Sequence, residues 1–198
     1  MIGFAKKIGM TRLFLEGAST AVTSIKFVDS FVLQKKTQDK EGYASVQIGA
    51  FRKKSGDKAK VGHSKKYIGS DQTFGFISEF KVETGESKIF TSKDFAVGDL
   101  ITITSKTKGL GFTGGVKRWG FAGQPASHGH DHKRSVGSIG AGGVQRVFQG
   151  KKMAGRKGAD QLTLNGQQIV AVDHAQGLLF IKGSIPGSNS SVIKIEKN

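Results

Sequence analysis

Residues 106–158 are the part of this chain least able to hold a shape by themselves. The stretch carries eleven lysines and arginines (Lys106, Lys108, Lys117, Arg118, Lys133, Arg134, Arg146, Lys151, Lys152, Arg156 and Lys157) against one acid, Asp131, and so supplies +10 of the chain's +16. It also holds 14 of the 29 glycines. Charge of one sign repels itself, and glycine gives up more backbone freedom on ordering than any other residue. The apolar residues of the stretch (Leu110, Phe112, Val116, Trp119, Phe121, Ile139, Val147 and Phe148) follow neither a period of 2 nor one of 3.6, so no continuous buried face can be built from them. Such a segment needs a polyanion to fix it. Nucleic acid is the natural one, because a Lys or Arg at a phosphate releases condensed counterions.

The remainder is balanced differently. Residues 1–105 have 17 basic and 11 acidic side chains, and residues 159–198 have three of each. A strong overall excess of positive charge fits nucleic acid or an anionic membrane. The membrane reading is the weaker: no apolar run approaches the roughly 20 residues of a spanning helix, and no basic helical face has large apolar residues opposite it. Cysteine is absent. That excludes disulfides, Cys-based zinc sites and a thiol nucleophile, and suits a reducing compartment. Lys6, Lys7, Arg12 and Glu16 interrupt any apolar core of a secretion signal, so the chain is expected to stay where it is made.

Strand character recurs on both sides of the basic stretch. Residues 21–28 alternate, with Ile25 and Phe27 on one face; Val46 and Ile48 share a face, as do Ile101 and Ile103. Residues 169–172 are β-branched and apolar, residues 178–181 continuously apolar, and Ile193 and Ile195 end the series. Between them lie Lys40-Glu41-Gly42, Val97-Gly98-Asp99, Asn165-Gly166, Ala175-Gln176-Gly177 and Pro186-Gly187, with Asn165-Gly166 predicting a hairpin turn because both residues tolerate positive φ. Short strands at this spacing predict a mainly β fold, an antiparallel barrel closed or nearly so. Residues 51–69 are a basic insertion (Arg52, Lys53, Lys54, Lys58, Lys60, Lys65 and Lys66 against Asp57) that could hold a short helix over 58–67, and lean slightly towards RNA. The simplest organisation is one globular barrel domain from residues 1–105 and 159–198, with 106–158 a long, largely irregular extension inserted between strands. A structureless loop of this length suits a compact domain only if it leaves the domain and is ordered by a partner.

Three enzymatic readings fail. Gly109-Leu110-Gly111-Phe112-Thr113-Gly114 fits a dinucleotide fingerprint, but Gly115-Val116-Lys117-Arg118-Trp119-Gly120 is a poor opening for the helix that the motif needs. Gly150-Lys151 lacks the upstream glycine and following hydroxyl of a phosphate-binding Walker loop. His128, His130, Asp131 and His132 invite a metal-dependent nuclease. Alternating histidines project to opposite sides, though, and the carboxylates that orient metal-bound histidine are scarce nearby. These imidazoles are read instead as phosphate donors or turn-packing groups. No catalytic residue, metal, cofactor or small-molecule substrate is expected.

Several motifs match a known family. Met1-Ile2-Gly3 followed by Lys6-Lys7-Ile8-Gly9-Met10-Thr11-Arg12-Leu13-Phe14 resembles the start of bacterial-type large-subunit ribosomal protein three. Thr107-Lys108-Gly109-Leu110-Gly111-Phe112, Gly114-Gly115-Val116-Lys117-Arg118-Trp119-Gly120-Phe121, His128-Gly129, Gly137-Ser138-Ile139-Gly140, Val147-Phe148 and Gly150-Lys151-Lys152-Met153-Ala154-Gly155 continue it, and the likeness runs on to Lys182-Gly183 and Pro186-Gly187. The resemblance implies a barrel on the outside of the large ribosomal subunit. It also implies an extension threading into rRNA toward the peptidyl transferase centre, direct rRNA binding, a role early in assembly, and neighbouring ribosomal proteins as partners. Its compartment would be the bacterial cytoplasm or an organelle matrix. The chain departs from the family pattern at Leu110, usually basic, and at Val136, usually proline. It looks one residue short both between His128 and Arg134 and at the tip, so no methylated glutamine is expected at Gln145.

On this reading the rRNA contacts are Lys6, Lys7, Arg12, Lys106, Lys108, Lys117, Arg118, Trp119, His128, Lys133, Arg134, Arg146, Lys151, Lys152, Arg156 and Lys157. The tip near the catalytic centre is Ile139, Gly140, Ala141, Gly142, Gly143, Val144 and Gln145. Trp119 is read equally as a stacking platform and as a packing anchor, and Lys6, Lys7 and Arg12 as the outer face of a strand. The remaining rival is a DNA-architectural protein, which composition alone permits.

Overall fold

Apolar residues at alternate positions, as in Ile101/Ile103 and Ile193/Ile195, mark several of the strands. In the computed structural model, residues 2–15, 17–53, 56–69, 71–81 and 94–197 are described. Met1, Glu16 and Lys54, named above, lie outside them. In chain order the elements are β1 (Ile2–Leu15), β2 (Ala18–Val28), β3 (Ser30–Lys36), α1 (Gln38–Glu41), β4 (Ser45–Lys53), α2 (Lys58–Ile68), β5 (Thr73–Lys81), β6 (Leu100–Lys106), β7 (Phe112–Thr113), α3 (Gly115–Trp119), β8 (Gly155–Arg156), β9 (Gln161–Asp173), β10 (Leu178–Lys182) and β11 (Val192–Lys197). The chain divides into two units, one made of residues 1–106 and 161–198 and the other of residues 107–160.

The first unit is mainly β and antiparallel. Strands β1, β11, β6, β9, β10 and β2 pair in that order, and β2 returns to β1, so the sheet closes into a six-stranded barrel. The residues that the alternation singles out meet inside it. Ile25, Ile101, Ile103, Ile169, Leu179, Ile181, Ile193 and Ile195 have no exposed surface, and Phe95 and Ile185 close the same cluster. A barrel this small is filled by its own side chains, and each buried Leu or Ile contributes roughly 1.5–3 kcal/mol. The turn between β9 and β10 is set by Asp173, whose Oδ1 accepts from the N–H groups of Ala175 (3.0 Å) and Gln176 (3.2 Å), with Gly177 at φ +66°.

Two sequence expectations are corrected here. Val46 and Ile48 do not join the barrel. They lie on β4, the middle strand of a separate three-stranded sheet, β3-β4-β5. That sheet is held by a second cluster in which Phe4, the outward neighbour of barrel residue Ala5, packs with Val46, Ile48, Ala50 and Phe80. Asn165-Gly166 is not a hairpin turn either. A two-residue turn of the expected type needs positive φ at both positions; here only Gly166 has it, at +66°. The pair sits inside β9, two residues opposite the single Thr102 of β6, as a β-bulge.

The predicted helix over 58–67 is present as α2. It ends where Gly69 turns left-handed (φ +73°) and its N–H closes on the Lys65 carbonyl at 3.1 Å. It rests against β3 and β5, and Ser64 is its one buried residue.

Candidate nucleic-acid interface

In the second unit the chain first pairs with itself. At its base the Thr107 N–H donates to the Asp160 carbonyl (2.9 Å), Leu110 N–H to Lys157 (2.9 Å) and Lys157 N–H to Gly111 (3.0 Å), and β7 pairs with β8. Glycine is required here for space: at Gly158, φ +77°, a Cβ would strike the Lys108 carbonyl. Helix α3 follows, and its last turn presents Arg118 and Trp119. Arg118 Nη1 (2.9 Å) and Trp119 Nε1 (2.8 Å) both donate to the Met153 carbonyl, and the guanidinium lies 4.9 Å from the indole centroid. These contacts tie the outgoing and returning segments together. The indole is thus a packing anchor, yet it remains 43% exposed, with the Lys152 ammonium 5.7 Å from its ring.

Residues 120–154 contain no helix or strand, and every residue from 131 to 152 is exposed. Local hydrogen bonds shape this stretch: Gln124 N–H to Lys133 O (3.0 Å), Ser138 Oγ to Gly140 O (3.0 Å), Arg146 N–H to Val144 O (2.7 Å). The tip residues Ile139, Gly140, Ala141, Gly142, Gly143, Val144 and Gln145 are all open, with Ile139 and Val144 uncovered apolar groups among them. Phe148 is 57% exposed, with the Arg146 guanidinium 5.8 Å from its centroid. An exposed ring beside an exposed cation offers a base both a stacking face and a charge.

Lys106, Lys108, Lys117, Lys133, Arg134, Arg146, Lys151, Lys152 and Arg156 are exposed, as is His128 at φ +62°. Arg118 and Lys157 are half-buried; the Lys157 ammonium donates to the Lys117 carbonyl at 2.7 Å. None of these eleven cations pairs with a carboxylate among the described residues, where the ion pairs are Lys36–Glu79, Lys60–Asp57, Lys65–Asp71, Lys194–Glu196 and Lys197–Asp99. Nor do any three His, Asp or Glu side chains come together as a metal site among the described residues.

Outside the arm the basic candidates separate. Lys6 and Arg12 are exposed on β1. Lys7 is not, and this corrects its placement on an outer strand face with an RNA contact. It follows Ala5 inward by the two-residue period of the strand and is 6% exposed. Its ammonium donates to the carbonyls of Ile185 (2.6 Å) and Gly187 (3.1 Å), and so holds the segment between β10 and β11. A lysine in a strand reads as an outer position, and only the far-off carbonyls it meets reveal otherwise. The second basic run divides between β4, where the Arg52 guanidinium stacks 4.1 Å from the Phe31 centroid, and helix α2, which carries Lys58, Lys60, Lys65 and Lys66.

Comparison with known proteins agrees with the motifs. A family model described as ribosomal protein L3 matches residues 32–177. A protein of Geobacter metallireducens named large ribosomal subunit protein uL3 is 40% identical over 203 residues, covering 97% of this chain and 94% of its own. The protein of the same name from Thermotoga petrophila is 38% identical over 195 residues (96% and 93%), and that of Shouchella clausii 38% over 198 (96% and 94%).

Proposed function

The chain belongs to the ribosomal protein L3 family, a structural constituent of the large ribosomal subunit and not an enzyme, and from that premise we propose that it binds large-subunit rRNA directly through residues 106–158. The observation that carries this reading is the set of eleven cations from Lys106 to Lys157, nine of them exposed and none paired with a carboxylate among the described residues. Helical RNA hides its base edges in a deep, narrow groove, so its phosphates and 2′-hydroxyls are what a protein meets. A thin, glycine-rich segment enters gaps between packed RNA helices that a globular unit cannot, and its N–H groups approach phosphates closely. Lys106, Lys108, Lys117, Lys133, Arg134, Lys151, Lys152 and Arg156 neutralise phosphates; Arg146 with Phe148, and the open part of Trp119, stack on bases. Arg118 and Lys157 shape the arm from within and add charge.

In this reading the barrel lies on the outside of the subunit beside neighbouring ribosomal proteins. The arm supports early assembly, and the tip, Ile139 to Gln145, buttresses the rRNA layer near the peptidyl transferase centre. The chain works in the ribosomes of the bacterial cytoplasm, or of an organelle matrix.

The test is binding of the full chain to a large-subunit rRNA transcript across a potassium chloride series, with duplex DNA as competitor at matched salt. Neutralising about 6–10 phosphates gives a log–log slope of roughly −4 to −9. A steep slope with preference for the rRNA supports the reading. A flat slope overturns it, and preference for duplex DNA transfers the chain to the DNA-architectural class.

A further inference from the structure

Asp57 and Gly69 cap helix α2 and Lys65 and Lys66 suit its last turn, but three positions between run against helix propensity. Lys58 and Lys60 occupy its first turn, where the helix dipole disfavours cations, and no acid shares that turn. Gly62 sits mid-helix, where only proline is a poorer residue than glycine. A Cβ built at Gly62 meets open space, so neither the sheet beneath nor a tight turn requires the glycine. Choices that cost local stability without a structural return mark functional surfaces.

Spacing makes these residues one feature. Lys58, Gly62, Lys65 and Lys66 stand at i, i+4, i+7 and i+8, the repeat of a single helical face, and all four are exposed. Ser64 is buried, with Val61 and Ile68 half-buried towards the sheet. The outer face is therefore a lysine stripe with bare backbone in the middle. Asp57 and Asp71 lie 3.4 Å from Lys60 and Lys65, but both pairs are open to solvent and bind their cations weakly. The exposed Tyr67 ring, 5.3 Å from the Lys66 ammonium, is the large side chain beside the stripe, and one ring with a polar tip is too little apolar surface to insert into a membrane. Cations flanking a strip of accessible main chain are what a phosphate backbone requires.

We propose that this face of α2 is a second RNA-binding site, carried by the first unit and distinct from the arm. Lys58, Lys65 and Lys66 meet phosphates, and the missing side chain at position 62 lets the helix lie close to the RNA backbone. The proposal rests on the reading of the chain as an rRNA-binding protein and names a further footprint within it.

The experiment uses the full chain, a large-subunit rRNA transcript, a potassium chloride series and hydroxyl-radical protection of the RNA. The Lys65→Glu/Lys66→Glu chain loses one set of protected nucleotides, and its salt slope becomes shallower by roughly 1.4–1.8. The Lys151→Glu/Lys152→Glu chain keeps that set and loses another. Gly62→Leu, which favours the helix, holds or raises the thermal midpoint while affinity falls roughly tenfold, the equivalent of one strong phosphate contact. Intact protection and an unchanged slope in the charge-reversed chain, with full affinity in Gly62→Leu, overturn the proposal and leave arm binding standing. Failure of the parent chain to bind rRNA in a salt-dependent way overturns the proposed function, and this site with it.

Discussion

In the barrel, eight aliphatic side chains from β2, β6, β9, β10 and β11 have no surface left in water, and two of its cations, Lys197 and Lys194, have acids beside them, Asp99 and Glu196. In the arm the reverse holds. Residues 131–152 are exposed without exception, and no cation of the arm has a carboxylate partner among the described residues. The first arrangement draws its stability from apolar burial and local neutralisation, both internal to the chain. The second leaves its charge unpaired among the described residues and its tip held by few, local hydrogen bonds, so a partner outside the chain is expected to order it. A substitution should therefore move one readout and spare the other.

The largest expected effect on stability is at the barrel centre. Ile103→Ala removes a fully buried side chain that pairs across strands with Ile195. It is expected to cost about 2–5 kcal/mol in urea unfolding followed by circular dichroism. Lys7→Ala comes next, at about 1–3 kcal/mol, because it deprives the Ile185 and Gly187 carbonyls of their donor. Were that variant to lose rRNA affinity at unchanged stability, Lys7 would have to be moved from the barrel's account to the arm's. Lys151→Glu/Lys152→Glu should change stability by less than about 0.5 kcal/mol. Its salt slope on rRNA should flatten by roughly 1.4–1.8, with fewer large subunits assembled. A comparable loss of stability would erase the contrast between the two units.

The smallest effect concerns pH. Lys36 at 2.6 Å and the Ser45 hydroxyl at 2.7 Å stabilise the Glu79 carboxylate and lower its pKa to about 2 from an ordinary 4.5. The folded form thus favours the charged carboxyl, and its contribution is complete above pH 4.5 and lost as the pH falls toward 2. The pair is partly exposed, so less than about 1 kcal/mol is at stake. Glu79→Gln should flatten the acid side of the stability profile by that amount and leave neutral-pH rRNA binding unaltered.

How much could be read in advance depended on whether the signal was local. The pairs Ile101/Ile103 and Ile193/Ile195 announced themselves by period and residues 178–181 by their continuous apolar run, whereas the basic insertion pointed to α2 only as a short helix it could hold. Strands β3 and β5 did not, since Gln34 and Lys36 in one and Gly75, Ser78 and Glu79 in the other break the alternation. Their membership of a second sheet depends on Phe4 pointing outward, a fact of topology that no window of sequence contains. Asn165-Gly166 misled because a turn dipeptide and a bulge share the same left-handed glycine, and only the partner strand decides between them. At the candidate interface, charge was legible and geometry was not. Lys7 and Lys6 are adjacent in sequence, yet only Lys6 faces solvent. Trp119 was open to two readings until the Met153 carbonyl appeared beside its N–H.

Amide hydrogen exchange on the full chain, alone and bound to a large-subunit rRNA transcript, tests the contrast most directly. Barrel strands β6, β9 and β11 should be protected in both states. Residues 131–152 should exchange at close to unstructured rates in the free chain and become protected on the RNA. Strong protection of those residues in the free chain, or none on the RNA, would contradict the account.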